Sequence, residues 1–400
     1  MLFRSASSDV IYLDGYTLSY PRTLIAEQGR LAFSSDSTTL KVTGFDSPDV
    51  IVYRIDGDQP VFLSGASVLD EGDAFSATFA GTGSPAQYWV SSVTGLLKAQ
   101  ITPGRPAVDI DSTAADYVMI SHPDFIDALS PLVRARMQQG YSVRVVNVED
   151  IYAQYHYGIF DPQAIKDYIT HAYHNMGARY ILLVGGDTYD YHDYLGLASK
   201  SFIPTFYTCV DHLSPYQPVD PLYADIDGDQ VPDLALGRFP VRNLDELNAI
   251  ITKTLAYETI DYANSSVFSS DVSFSIYSDD WAALLPEGWT KQFANLDQLP
   301  TTEAKSILVE KMNNGTALVN YFGHSSTTTW TASGLFTVND VPVLTNLGKP
   351  FIVAQYGCWN TYFVNPRQDS LGQQFLLAQD RGAAAVLGSS TNNFHDSQYY

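Results

Sequence analysis

Residues 317–326 read ALVNYFGHSS and residues 351–360 read FIVAQYGCWN. Each is an apolar run that ends near a glycine, and a reactive side chain follows that glycine at once: His324 in the first, Cys358 in the second. Runs of this length, rich in aromatic and β-branched residues, predict buried strands over 317–322 and 351–354. In open parallel sheets, function collects beyond the carboxyl ends of the strands. Neighbouring strands would therefore bring the imidazole and the thiol to one rim. The thiolate would attack and the imidazole would take and return protons. Gly323 and Gly357 allow close backbone approach to a substrate. The N–H groups of Ser325 and Cys358 are then natural oxyanion donors, worth about 3 kcal/mol each. On spacing alone, a thiol at a strand end is more often a small buried hydrophobe.

Working outward, the chain alternates strand and helix on both sides of these runs. Tyr117–Ile120 predicts a strand. Phe125, Leu129, Leu132, Val133 and Met137 share one helical face, which Gly140 stops. Val143–Val146 is the next strand, and Asp161-Pro162 opens a helix that Gly177 ends. Strands follow over 180–184 and 234–236, then a helix to Tyr257 with Asn243 and Glu246 as its capping box. Further on, the pattern predicts strands over 272–276 and 383–387, a helix over 303–313, and a helix over Leu371, Phe375 and Leu376 capped by Asp369. Such alternation implies α/β architecture, with parallel sheets covered by helices on both faces. Residues 1–110 read differently. Short alternating runs (Val10-Ile11-Tyr12, Leu31-Ala32-Phe33, Leu40-Lys41-Val42, 51–55, Tyr88-Trp89-Val90) separated by turn residues predict a small all-β sandwich. Pro103-Gly104-Arg105-Pro106 looks like the linker out of it. The expected domains are thus 1–110, a first α/β subdomain 111–265, and a second, 266–400, carrying His324 and Cys358.

Composition narrows the function. The formal charge of −22 repels phosphate backbones and anionic headgroups, so nucleic acid and membrane surfaces are poor partners, and cationic substrates or metal ions better ones. The acidity also suits a protein kept soluble outside a cell. Two cysteines, Cys209 and Cys358, are too few for a disulfide scaffold. No stretch reaches the ~18 apolar residues of a bilayer span. Met1–Asp9 has no apolar signal core. The chain starts almost within a strand pattern and stops at Tyr399-Tyr400 without a capping signal, as expected of a fragment flanked by further domains of a longer protein.

The ordered blocks ALVNYFGHSSTTTW, LTNLGKPFIVAQYGCWNTYF and GAAAVLGSST, with YILLVGGD and YADIDGDQVPDLALGRFPV upstream, resemble the gingipain family of cysteine peptidases, relatives of caspases. The resemblance covers most of the chain, including the β-domain. It implies a caspase-like α/β fold and a secreted or cell-surface cysteine endopeptidase acting on polypeptides, with no catalytic cofactor. It also implies that His324 is the catalytic histidine, Cys358 the nucleophile, and Trp330 the tryptophan that follows the histidine at the substrate site. Asp220 matches an aspartate lining the pocket for a basic P1 side chain; read locally, it also serves as a turn cap before Pro221. The resemblance leaves two other outcomes open: a sortase-like transpeptidase, and a non-catalytic, calcium-stabilised adhesion module. The chain departs from the family at His324-Ser325, where the family usually has His-Gly. It departs again at Tyr356-Gly357, and at Asn393-Phe394-His395, where arginine-specific members place a tryptophan. These departures bear on substrate preference more than on the dyad.

Asp225, Asp227, Asp229 and Asp233 alternate around Gly228, a spacing that suits oxygen ligation of a hard cation. Gln230 and Leu236 stand where an EF-hand would have Gly and Glu. The two readings are a solvated acidic turn and structural Ca²⁺, and the resemblance implies calcium. Cys209, His192 and His212 read as structural or surface residues. No HExxH, CxxC or phosphate-loop motif is present.

Overall fold

A computed structural model of the chain describes residues 17–18, 22–99, 104–210 and 216–393. The Val10-Ile11-Tyr12 run, His212, Phe394 and His395 lie outside the described residues. The chain divides between Pro103 and Gly104 into two compact units.

The first unit holds two antiparallel sheets. One has the strand order 30–35, 86–92, 50–56, 59–62; the other has 39–45, 75–80, 67–70. Alternate side chains turn inward, as the period-2 pattern requires. Leu31, Val52, Tyr88 and Val90 of the first sheet meet Val42, Phe45, Ala77 and Phe79 of the second in one core. This is the small sandwich the alternation predicts.

The second unit is built on two parallel sheets. The first has the order 235–239, 180–184, 117–121, 143–147. Its central strands are apolar on both faces. Val118, Ile120, Ile181 and Leu183 pack into one core, while Met119, Leu182 and Val184 pack into another on the opposite side. That is why these strands read as continuous apolar runs. The second sheet has five parallel strands in the order 290–295, 265–270, 318–322, 351–356, 383–388. Val267, Val319, Tyr321 and Val353 face a core completed by Ala304, Leu308 and Met312 of helix Thr301–Asn314.

Local chemistry sets the helix ends. Asp161 accepts from Gln163 N–H with Pro162 in the first turn, and Gly177 turns left-handed at φ 83° to stop the segment that follows. Helix Leu244–Tyr257 starts with Asn243 accepting from Glu246 N–H. Glu246 does not complete the box, because its carboxylate accepts instead from Arg242. Two polar ties link the helices of the two sheets. Lys253 donates from its ammonium to the carbonyls of Phe375, Leu376, Ala378 and Arg381, and Arg242 pairs with Asp369 at 2.6 Å. No helix among the described residues is long and apolar enough to cross a membrane.

The structure corrects two expected elements and adds a strand. The strand expected over 272–276 is Ser265–Ser270, and helix Ser275–Ala283 starts where that strand was expected to end. Its serines hide it in the sequence, but buried Ser266 and Ser269 satisfy their hydroxyls on the carbonyls of Thr290 and Asn320. The edge strand Thr290–Asn295 carries no apolar run and was not expected. Helix Leu371–Leu377 is capped by Ser370, in a full capping box with Gln373, and not by Asp369, which Arg242 engages.

Candidate active site

Strands Leu318–Phe322 and Phe351–Tyr356 are hydrogen-bonded neighbours, and Phe322 is the register partner of Tyr356. His324 and Cys358 each follow that last pair by two residues, so both leave the sheet at the same carboxyl rim. Parallel strands lie about 4.8 Å apart, which sets the scale of the gap a substrate carbonyl would enter.

The two rim loops interlock. Gly323 N–H donates to Tyr356 O at 3.0 Å, and Ser325 Oγ donates to Cys358 O at 2.7 Å. A Cβ on Gly357 would stand 2.3 Å from Ser325 Oγ and 2.6 Å from Gly323 O, so only glycine permits this approach. Gly323 has φ 149°, and a Cβ there would meet Asp271 Cβ at 2.4 Å. The glycines before His324 and Cys358 are therefore spacers between loops.

The histidine loop is held from behind. His324 O accepts from Thr331 N–H at 2.9 Å and from the Tyr321 hydroxyl. Burial first, then the nearby carboxylate of Asp271, push the Tyr321 phenol well above its ordinary pKa, so it remains a donor. Ser325 and Trp330 form an antiparallel bridge. The bonds on either side of it run from Thr331 N–H to His324 O and from Ser326 N–H to Thr329 O. Ser325 is thus a non-hydrogen-bonded pair member, and its own N–H points away from the hairpin. The His324 side chain is exposed and meets the Phe274 ring edge-on, with centroids 5.2 Å apart at 81°.

The cysteine loop is strained and tightly stapled. Trp359, next to the thiol, has φ 63°, an uncommon conformation for a bulky residue and one that surrounding contacts must hold. Its N–H donates to Thr391 O, and its indole donates to Asn392 Oδ1 at 2.6 Å. Fully buried Asn360 reaches Gly357 O, Gln355 O and Ser325 Oγ through Nδ2, at 3.1 to 3.3 Å, and accepts from Ser389 N–H. The thiol is partly buried and faces Asn393, whose N–H and carbonyl both lie 3.4 Å from Sγ. Asn393 also borders a cleft of about 590 Å³ lined by Tyr356, Gly388, Ser390, Asp220 and Arg238.

Two residues expected to touch substrate are otherwise employed. Trp330 is fully buried, stacked 4.6 Å from Tyr321 at 4°, and donates from Nε1 to Gln355 Oε1 at 2.8 Å. It braces the histidine hairpin against the cysteine strand and is out of reach of a ligand. Asp220 lines the cleft, but both its oxygens are taken. Arg238 grips them in a bidentate pair at 2.6 and 2.7 Å, and Thr205 donates at 2.7 Å. The guanidinium also reaches the carbonyls of Gly185, Ile203 and Pro204. Burial opposes its charge, and the Asp220 carboxylate outweighs that and holds its pKa above the ordinary value. Asp220 is therefore an internal counter-ion, with no spare charge for an incoming cation.

Compared with known proteins, residues 110–400 match peptidase family C25. The chain belongs to that family. It is 24% identical over 310 residues to Lys-gingipain of Porphyromonas gingivalis, covering 73% of this chain and 16% of that protein. It is 26% identical over 278 residues to gingipain R2 of the same organism, covering 64% and 34%. An uncharacterised protein of Archaeoglobus fulgidus is 23% identical, covering 68% of each. The chain thus spans about a sixth of the length of Lys-gingipain. The crystal structure of the Arg-specific cysteine proteinase gingipain R has the same fold, with a TM-score of 0.57 at 21% identity over 72% of this chain and 65% of that one.

A cluster of carboxylates lies in the loop between Asp220 and Arg238. Asp225, Asp227 and Asp229 can each bring one carboxylate oxygen within 4.8 Å of the others. Carboxylate oxygens are the donor type that a hard cation takes. Asp233, expected as a fourth ligand, is outside the group. Its carboxylate accepts from Ile226 N–H at 2.7 Å and closes the loop.

Sequence reading missed Asp271, Tyr321, Gln355 and Asn360. Asn360 carried a signal, a turn-forming residue just past a strand. The others depend on which strands become neighbours.

Proposed function

We propose that this chain is the catalytic part of a cysteine endopeptidase in which Cys358 is the nucleophile and His324 its acid–base partner. The observation that supports this is the register of Phe322 against Tyr356, with each reactive residue two positions beyond. The thiolate attacks the scissile carbonyl carbon, and the N–H groups of Ser325 and Cys358 receive the oxyanion. The imidazolium gives its proton to the departing amine as the C–N bond breaks. Water, deprotonated by the imidazole, then hydrolyses the thioester. The acidic surface favours polypeptides with a basic residue before the cleaved bond. With Asp220 neutralised by Arg238, that preference rests on the net charge of −22 and not on a pocket carboxylate. We assign the work to the outside of the cell or its surface, where so acidic a chain stays soluble. We also assign Ca²⁺ to Asp225, Asp227 and Asp229 as a structural ion, fixing the loop between the two ends of the Asp220–Arg238 pair.

The test is hydrolysis of fluorogenic peptides ending in Arg or Lys by the wild-type chain and by Cys358→Ala and His324→Ala. Turnover that survives both changes refutes the dyad. Amine-ligated product in place of hydrolysate would make the chain a transpeptidase.

A further inference from the structure

Residues 370–377 read SLGQQFLL, and the helix Leu371–Leu377 follows its capping serine. So short a helix is not stable by itself, and its free backbone groups need partners outside it. The N–H groups of its first turn go to both rim loops. Leu371 N–H donates to Thr327 O and Gly372 N–H to Asn360 O, each at 2.8 Å. Thr327 lies just past His324 in the chain, and Asn360 just past Cys358. The approach is close, because a Cβ on Gly372 would stand 3.0 Å from Asn360 O and 2.9 Å from Thr361 Cγ2. Gln373 adds a bond from Nε2 to Phe363 O at 3.1 Å. One helical turn thus bears on the histidine loop and the cysteine loop together, so where this helix sits sets where both loops sit.

The helix is gripped at both ends by cations of one distant segment. Ahead of its first turn, Asp369 pairs with Arg242 at 2.6 Å. At its carboxyl end stands Lys253 of helix Leu244–Tyr257, only 5% exposed. Lys253 Nζ lies 2.7 to 3.0 Å from the carbonyls of Phe375, Leu376, Ala378 and Arg381. These are the last carbonyls of the helix and of the turn after it, the groups that a helix leaves without internal partners. A lysine there satisfies them and opposes the negative end of the helix dipole. Burying so long a side chain costs rotamer freedom, and here four backbone bonds repay it.

We propose that Lys253 is a positioning residue for the dyad: by fixing the carboxyl end of helix Leu371–Leu377, it sets where the first turn of that helix holds the histidine and cysteine loops. This rests on the peptidase reading. Lys253 acts through the helix, and the helix acts through the carbonyls of Thr327 and Asn360. Its loss therefore disturbs the spacing of thiol and imidazole more than the binding of substrate.

The experiment compares the full chain with Lys253→Met on a basic-P1 fluorogenic peptide, well below the Tm of either. The control is a change at Ile165, to Val or Ala as needed to match the loss in Tm. Ile165 is buried in the core on one face of the first sheet, to which helix Leu371–Leu377 contributes nothing. The expected result for Lys253→Met is a fall in kcat of about tenfold, a fraction of the ~100-fold that 1 Å of misplacement costs. KM should stay within twofold, and the Ile165 variant should keep its kcat within twofold. A kcat no lower than that of the control, or a loss carried by KM, overturns the proposal. Should Lys253→Met not fold, Lys253→Gln, which keeps two donors, is read against the same control and the same criteria. In parallel, amide hydrogen exchange is followed over 324–331, 357–363 and 370–377, which needs no turnover. If the wild type cleaves nothing, the peptidase reading fails, and exchange still decides the clamp. Faster exchange over all three stretches in the Lys253 variant than in the control supports it, and exchange equal to the control overturns it.

Discussion

Gly357→Ala places one methyl group where the two rim loops meet. The new Cβ would lie 2.6 Å from Gly323 O and 2.3 Å from Ser325 Oγ, against 3.4 Å for ordinary contact. The hydroxyl could rotate away only by giving up its 2.7 Å bond to Cys358 O. The Gly323 carbonyl is backbone and cannot rotate. Relief thus requires the cysteine loop to move about 0.8 Å from the histidine loop, the difference between 3.4 and 2.6 Å. Overpacking of this kind costs about 1–3 kcal/mol, or about 2–5 °C in Tm for a unit of this size. A misplacement near 1 Å between reacting groups costs about 100-fold in rate. The assay is kcat on a basic-P1 fluorogenic peptide, with differential scanning fluorimetry and the rate of Cys358 alkylation by iodoacetamide. Gly104→Ala, whose Cβ meets nothing within 4 Å, is the silent control. Activity within threefold of wild type and an unshifted Tm for Gly357→Ala would refute the interlocked rim.

Asp220→Asn leaves the buried Arg238 charge uncompensated and should lower stability by about 3 kcal/mol while the ratio of Arg or Lys to Ala substrates stays put; collapse of that ratio in a stably folded variant would restore Asp220 as a pocket carboxylate. Chelation with EGTA should lower Tm, and Asp227→Asn should abolish that response; an unchanged Tm removes the calcium assignment. Burial lowers the Lys253 pKa to about 7 from an ordinary 10.5, so between those values the unfolded chain holds the extra proton and stability rises with pH. Lys253→Met should therefore flatten the rise in Tm between pH 7 and 9; a slope identical to wild type would refute that depression.

The parts of the fold legible in the sequence were those in which one residue type dominates. The strands 117–121 and 180–184 announced themselves because both faces meet apolar cores, and 318–322 and 351–356 because one face enters a core while the other still carries Phe322, Ile352 and Tyr356. Strand 265–270 did not, because its inward serines are satisfied by neighbouring carbonyls that no local pattern reveals. The same limit applies at the site. His324 and Cys358 stood out because each follows a strand and a glycine. What Asp220 and Trp330 do is decided by Arg238, eighteen residues on, and by Gln355, twenty-five residues on. Nothing near either residue in the chain marks those partners, so resemblance alone put both at the substrate. Asn360, Tyr321 and Asp271 gained their places only once the strand order existed.

The central claim is that thiol and imidazole share one rim and act as a unit. An Arg- or Lys-chloromethylketone, followed by peptide mapping, addresses it most directly. Stoichiometric label on Cys358 of the wild-type chain, slowed at least 100-fold by His324→Ala while Cys209 stays unmodified, is the predicted result. Label spread equally over Cys209 and Cys358, or a rate indifferent to His324, would contradict it.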